Sequence, residues 1–120
     1  MSVRVRIHAD FMADLRAQLR WLTRNRDRSE IEHLRGAIDE AIDLLSRFPN
    51  TGSIERQEKS AVLRRLILRR LPYVVWFVRE TRRPDADVWL LRLFHARQSR
   101  RLVTSVPTVG PRRRRRRSRT

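Results

Sequence analysis

Val62-Leu63-Arg64-Arg65-Leu66-Ile67-Leu68, Tyr73-Val74-Val75-Trp76-Phe77-Val78 and Val88-Trp89-Leu90-Leu91-Arg92-Leu93-Phe94 are three short runs rich in β-branched, leucine and aromatic side chains. Leu71-Pro72 separates the first two, and Arg82-Arg83-Pro84-Asp85 the last two. Apolar runs of this length, broken by proline and polar residues, read as strands, and connections this short leave room only for antiparallel neighbours. The stretch therefore predicts a three-stranded antiparallel meander. A small sheet of this kind is stable only if one face is covered, so the cover has to come from elsewhere in the chain.

Upstream, the hydrophobic period changes from two to three or four. Val3, Val5 and Ile7 alternate with Arg4 and Arg6, which predicts a short first strand. Asp10 is placed to cap a helix whose apolar stripe is Phe11, Leu15, Leu19 and Leu22, running to about Thr23. Asn25-Arg26-Asp27 breaks it. Ser29, with Glu32 three residues on, has the form of a capping box for a second helix with the stripe Ile31, Leu34, Ile38, Ile42 and Leu45. Ala37 and Ala41 allow a neighbour to approach closely. Two amphipathic helices joined by about five residues predict an antiparallel hairpin, and its stripes supply the cover that the sheet needs. Phe48-Pro49-Asn50-Thr51-Gly52 ends the second helix, because proline cannot continue it and glycine allows a positive-φ turn. Residues 54–60 are polar and read as irregular. The predicted order is strand, helix, helix, strand, strand, strand, an α+β fold.

Of the 29 basic residues only Lys59 is lysine, and the net charge is +16. Arginine's planar fork suits phosphate and carboxylate. Arginine in place of lysine is also what GC-rich codons produce, and a cationic protein is equally suited to an acidic protein partner. The last stretch holds Arg112, Arg113, Arg114, Arg115, Arg116 and Arg117 in succession, with Arg119 beyond and no acid among them. Charge this dense repels itself and offers nothing to bury, so residues 1–102 read as one domain and 103–120 as a disordered, arginine-rich tail able to bind nucleic acid nonspecifically. Without the tail the chain still carries +9. There is no cysteine, which excludes disulfides and thiolate metal sites. His8 and His33 have no metal-ligand spacing, and neither metal nor cofactor is expected. No signal peptide is visible at the start, and the longest apolar run, Val74–Val78, is too short for a bilayer, which points to a cytoplasmic protein with no membrane partner.

Four local patterns, spread over residues 3–98, carry a resemblance. They are the capped helix around Asp14-Leu15, Leu44-Leu45-Ser46-Arg47-Phe48-Pro49 followed by Gly52, Arg65-Leu66 ahead of Leu71-Pro72-Tyr73-Val74-Val75-Trp76-Phe77, and Leu91-Arg92-Leu93-Phe94-His95-Ala96-Arg97. In this order and spacing the chain resembles the ParE/RelE superfamily of type II toxins, ParE more closely than RelE. The resemblance implies a growth-inhibiting toxin held inactive in a hetero-oligomer with a cognate antitoxin. ParE-like members poison DNA gyrase by binding it, whereas RelE-like members cut messenger RNA on the ribosome.

The candidate residues divide along the same line. Metal-free RNA cleavage requires a base, an acid and cations facing the phosphate. His95, Arg65, Arg97 and Glu80 are the residues from which such a set could be built. RelE's active-surface lysines have no counterpart in a chain with one lysine, which favours the binding mode. Arg65, Arg69, Arg92 and Arg97 are then the expected target contacts. Trp21, Leu22 and Trp89 are candidates for antitoxin contact, since tryptophan is favoured in interface hot spots, although core packing is the commoner role for periodic tryptophans. A plain basic nucleic-acid-binding module is a third reading; it accounts for the tail but not for the hairpin and the arginine-bearing sheet.

Overall fold

The computed structural model describes residues 2–68 and 72–96. Strand β1 (Val5–Ile7) leads into helix α1 (Ala9–Arg24) and helix α2 (Arg28–Arg47). Strands β2 (Ser53–Gln57), β3 (Ala61–Ile67), β4 (Tyr73–Glu80) and β5 (Val88–His95) follow. They form one sheet in the order β1-β5-β4-β3-β2. The meander β3-β4-β5 is antiparallel as predicted, and β1 returns to the sheet parallel to β5.

The stripes read from the sequence are the core. Phe11 and Leu22 of α1 and Leu34, Ile38, Ala41 and Leu45 of α2 are buried against Tyr73, Val75 and Phe77 of β4 and Val88, Leu90 and Leu93 of β5. Alternate residues of the same strands, Leu63, Val74, Trp76, Val78, Leu91 and Phe94, make a second apolar cluster on the far side of the sheet. Both faces of the central strands are therefore apolar, and for this reason Tyr73–Val78 reads as an unbroken apolar run.

Several local readings are corrected. Helix α1 is capped by His8, whose Nδ1 accepts from the Asp10 backbone N–H at 3.1 Å; Asp10 lies inside the first turn, where its charge complements the helix dipole. The cap of α2 is Asp27, whose Oδ1 accepts from Glu30 N at 3.1 Å, so Ser29 sits within the helix. The chain reverses in three residues because Arg26 takes a positive φ of 55°, and Asp27 N bonds back to Leu22 O at 2.9 Å. The first part of the stretch 54–60, expected to be irregular, belongs to β2 (residues 53–57). All five β2 residues are exposed, so their pairing with β3 rests on backbone hydrogen bonds and an ion pair from Glu55, and leaves no apolar alternation to read. The first strand begins at Val5; Val3 is instead tied to the end of α2 through Val3 N to Ser46 O at 2.8 Å. Gly52, at φ 92°, fits the predicted turn, and a Cβ there would lie 2.6 Å from the Arg65 carbonyl oxygen. No described helix is long and apolar enough to cross a membrane.

Candidate functional site

Strand β5 carries the feature that organises the surface. Val88 and Leu90 point into the core, and strict alternation would bury Arg92 after them. The register shifts instead: Phe77 pairs with Leu90 and Trp76 with Arg92, leaving Leu91 as the extra residue of a bulge. Leu93 thereby takes the next core position and Arg92 is moved to the sheet edge. There it meets Asp14 of α1. Arg92 Nε and Nη2 donate to the two carboxylate oxygens at 2.7 and 3.0 Å, and Leu93 N donates to the first of these at 2.9 Å. Strand β1 stops at Ile7, so the Asp14 carboxylate supplies the acceptor that a longer β1 would have given to β5. The bond to Asp14 is the main reason that the Arg92 guanidinium holds its proton more tightly than usual.

The far side of the sheet is apolar with an arginine border. Arg65, Trp76 and Arg92 form one row across β3, β4 and β5. Arg65 Nε lies 3.1 Å from Glu55 Oε2, close enough to pair but off-line for a hydrogen bond. The guanidinium of Arg92 lies over the Phe94 ring at 4.6 Å and that of Arg6 over Trp89 at 5.0 Å, two cation–π contacts. Trp76 is 5% exposed and its indole N–H has no acceptor among the described residues. The apolar residues of this cluster are themselves buried, at 5% exposure or less, so what this side offers a partner is the half-buried guanidinia of Arg65 and Arg92, which suit an anionic surface.

A separate groove of about 610 Å³ opens between the hairpin and the start of β4. Ala17, Gln18, Trp21, Leu22 and Arg24 of α1, the cap residue Asp27 and Glu30 of α2, and Pro72, Tyr73 and His95 line it. The Tyr73 hydroxyl donates to Gln18 Oε1 at 3.2 Å, and its ring meets His95 edge-on at 5.7 Å. Burial, and then the charges of Glu30 and Asp27, raise the Tyr73 pKa above its ordinary value.

The structure does not bring the sequence candidates into one place. His95 pairs with Tyr73 and lines the groove, whereas Arg65 belongs to the far side of the sheet. Glu80 pairs with Ala61 seven residues along β4 from Tyr73, about 23 Å away at strand spacing. Trp21 is 52% exposed in the groove, Leu22 beside it is 2% exposed and belongs to the core, and Trp89 is half-buried under Arg6 on the other side of the sheet. Arg69, Arg97 and Arg112 to Arg117 lie outside the described residues. Among the described residues no group of histidine, aspartate and glutamate could hold a metal ion. Sequence reasoning passed over Asp14, Asp27, Glu30 and Tyr73. The scarcity of acids, 13 against 29 basic residues, was the one signal that each retained carboxylate has a partner to meet.

Comparison with known proteins agrees with this architecture. The family model described as the ParE toxin of the type II toxin–antitoxin system, parDE, matches residues 5–100. A solved structure described as the chromosomal ParDE toxin–antitoxin system from P. aeruginosa superposes with a TM-score of 0.59 at 18% identity, covering 78% of this chain and 96% of that one. No curated protein sequence gives a match. With a family model spanning nearly the whole of the described fold, the chain belongs to the ParE toxin family of type II toxin–antitoxin systems.

Proposed function

We propose that this toxin inhibits growth by binding DNA gyrase, and that a cognate antitoxin neutralises it. The observation that carries the binding mode over RNA cleavage is the separation of His95, Arg65 and Glu80. The first two are on opposite faces of the sheet, and the third is at the far end of β4 from His95. General acid–base catalysis needs its groups within hydrogen-bond reach of one substrate, and these three do not share one. The far side of the sheet supports a binding role instead, with Arg92 on the Phe94 ring in the same row as Arg65, and Arg6 over Trp89 at the edge of the sheet. An acidic, amphipathic antitoxin segment matches that surface in sign, and covering it would block target contacts made through Arg65 and Arg92. The surface around Trp21 carries carboxylates and suits a different ligand.

The test is induction of the toxin alone in cells, with DNA breakage and mRNA fragmentation followed in time. DNA damage is expected first. Folded His95→Gln keeps hydrogen-bonding capacity but loses proton transfer near neutral pH, and should stay toxic. Arg65→Ala should lose potency. A nuclease would lose about 10²–10⁴-fold in the catalysed step with His95→Gln. Messenger-RNA cleavage by the parent that disappears in a folded His95→Gln protein, together with its toxicity, would overturn the binding mode in favour of the enzyme.

A further inference from the structure

The groove beside Trp21 reverses the sign of the surface around it. In a chain of net charge +16 it carries Asp27 and Glu30 together, next to the half-exposed indole of Trp21 and the Tyr73–His95 ring pair. Burial first, and then the charges of Glu30 and Asp27, raise the Tyr73 pKa, in keeping with the two carboxylates lining the same groove. Carboxylates beside an aromatic face form a seat for a cation, and for a planar guanidinium above all, since it can stack and bond at once.

The chain itself supplies such a cation at the groove's edge. Strand β5 ends on His95, which lines the groove, and Ala96 N donates at 2.6 Å to the carbonyl of Pro72, another lining residue. The next residues are Arg97-Gln98-Ser99-Arg100-Arg101. Five residues span up to about 17 Å when extended, and this segment starts from the groove's own wall, so its arginines have the reach. We propose that the segment from Arg97 to Arg101 docks in this groove of its own chain, seating a guanidinium between Trp21 and the carboxylates of Asp27 and Glu30. A contact too weak to hold two separate molecules holds here because the tether keeps the local concentration high. A partner that uses Trp21 must first displace the segment. The inference does not depend on which target the toxin binds.

Two built-in probes allow a test on the full chain, free of any partner. Tyr73 is the chain's single tyrosine, so phenolate absorbance reports on this groove alone. Of the three tryptophans Trp21 is the exposed one, and a neutral collisional quencher such as acrylamide reads chiefly its accessibility. Changing Arg97, Arg100 and Arg101 together to Gln should increase the quenching and raise the Tyr73 titration midpoint, since a cation that favours the phenolate has gone. Asp27→Asn with Glu30→Gln keeps the helix cap, because Asn caps as well as Asp, and should increase quenching to the same extent. Combining the two sets should add nothing further, the signature of partners in one contact. Parent-like quenching and titration in the folded arginine variant would overturn the proposal. So would full additivity, or an effect that scales with protein concentration, since the latter would assign the groove to a second copy.

Discussion

Asp14 shows how much one side chain can settle in a small fold. Its carboxylate takes three hydrogen bonds, two from Arg92 and one from the Leu93 backbone, and so joins α1 to the edge of β5 beyond the end of β1. Arg92 in turn lies over the Phe94 ring, which extends the same contact round to the far side of the sheet. Truncating Asp14 leaves a half-buried guanidinium and a strand N–H without their acceptor, whereas truncating Arg92 leaves Leu93 N still served. The order of damage follows from that asymmetry. Asp14→Ala should cost about 2 kcal/mol, within the range for losing the charged partner of a desolvated group, and Arg92→Ala less. For a domain of this size each kcal/mol lowers the midpoint by about 4–8 °C. Thermal unfolding of the two variants, followed by circular dichroism, checks this; equal midpoints would mean that the carboxylate is no more than a surface ion pair. The comparison also bears on function, because an Arg92 held by two hydrogen bonds to Asp14 has less freedom to serve a target than Arg65, which makes a single ion pair with Glu55.

At the scale of elements, the turn that launches β2 is the weak joint. Gly52 holds a φ of 92° with its α-carbon packed over the Arg65 carbonyl, so an alanine there meets both backbone strain and a 2.6 Å contact that backbone cannot relieve by turning a side chain. Gly52→Ala should destabilise the chain by about 2 kcal/mol. It should also speed hydrogen exchange in β2 and at its β3 partners Arg64 and Arg65, while the amides of β4 keep their protection. Uniform loss of protection across the sheet would show instead that β2 is needed for the fold as a whole. The same elements explain what could be read from the sequence. The helix stripes and the meander were legible because each buries a periodic set of apolar residues, from Phe11 to Leu22, Leu34 to Leu45 and Tyr73 to Val78. Strand β2 was not, because it buries no apolar residue and pairs through its backbone and the single Glu55–Arg65 ion pair. The Leu91 bulge was half-legible: Val88, Leu90 and Leu93 break strict alternation by one residue, but no rule of spacing shows which residue is extruded. The site was harder still. Glu80 and His95 looked close because strand ends look alike in sequence, and only the register puts them at opposite ends of β4 and β5.

For the whole molecule, the question is how the +16 is divided between folding and binding. Among the described residues, the buried set that joins helices to sheet runs from Phe11 to Leu93, and the far-side cluster from Leu63 to Phe94. The ion pairs between distant segments, Arg92 with Asp14, Arg6 with Asp87 and Arg65 with Glu55, also lie among the described residues. Residues 104–120 add seven arginines and no acid. Their mutual repulsion opposes any compact arrangement, and they bring little apolar area to offset it. Deleting 104–120 should therefore leave the unfolding midpoint within a few degrees of the parent, while leaving residues 97–101 in place for the groove. Nucleic-acid affinity should respond quite differently. Each phosphate contact that a tail arginine makes releases condensed counterions, with a slope in log K against log salt of about −0.9 per contact on duplex DNA. The truncated chain, still at +9, should bind DNA more weakly at low salt and with a shallower salt slope than the parent. Nonspecific retention and the toxic activity are then separable: if toxicity rests on gyrase contacts made from the sheet, the truncated chain should still arrest growth. Loss of arrest by a truncated chain that unfolds at the parent's temperature would assign the tail to the target interface, and a midpoint lowered by more than a few degrees would assign it to the fold.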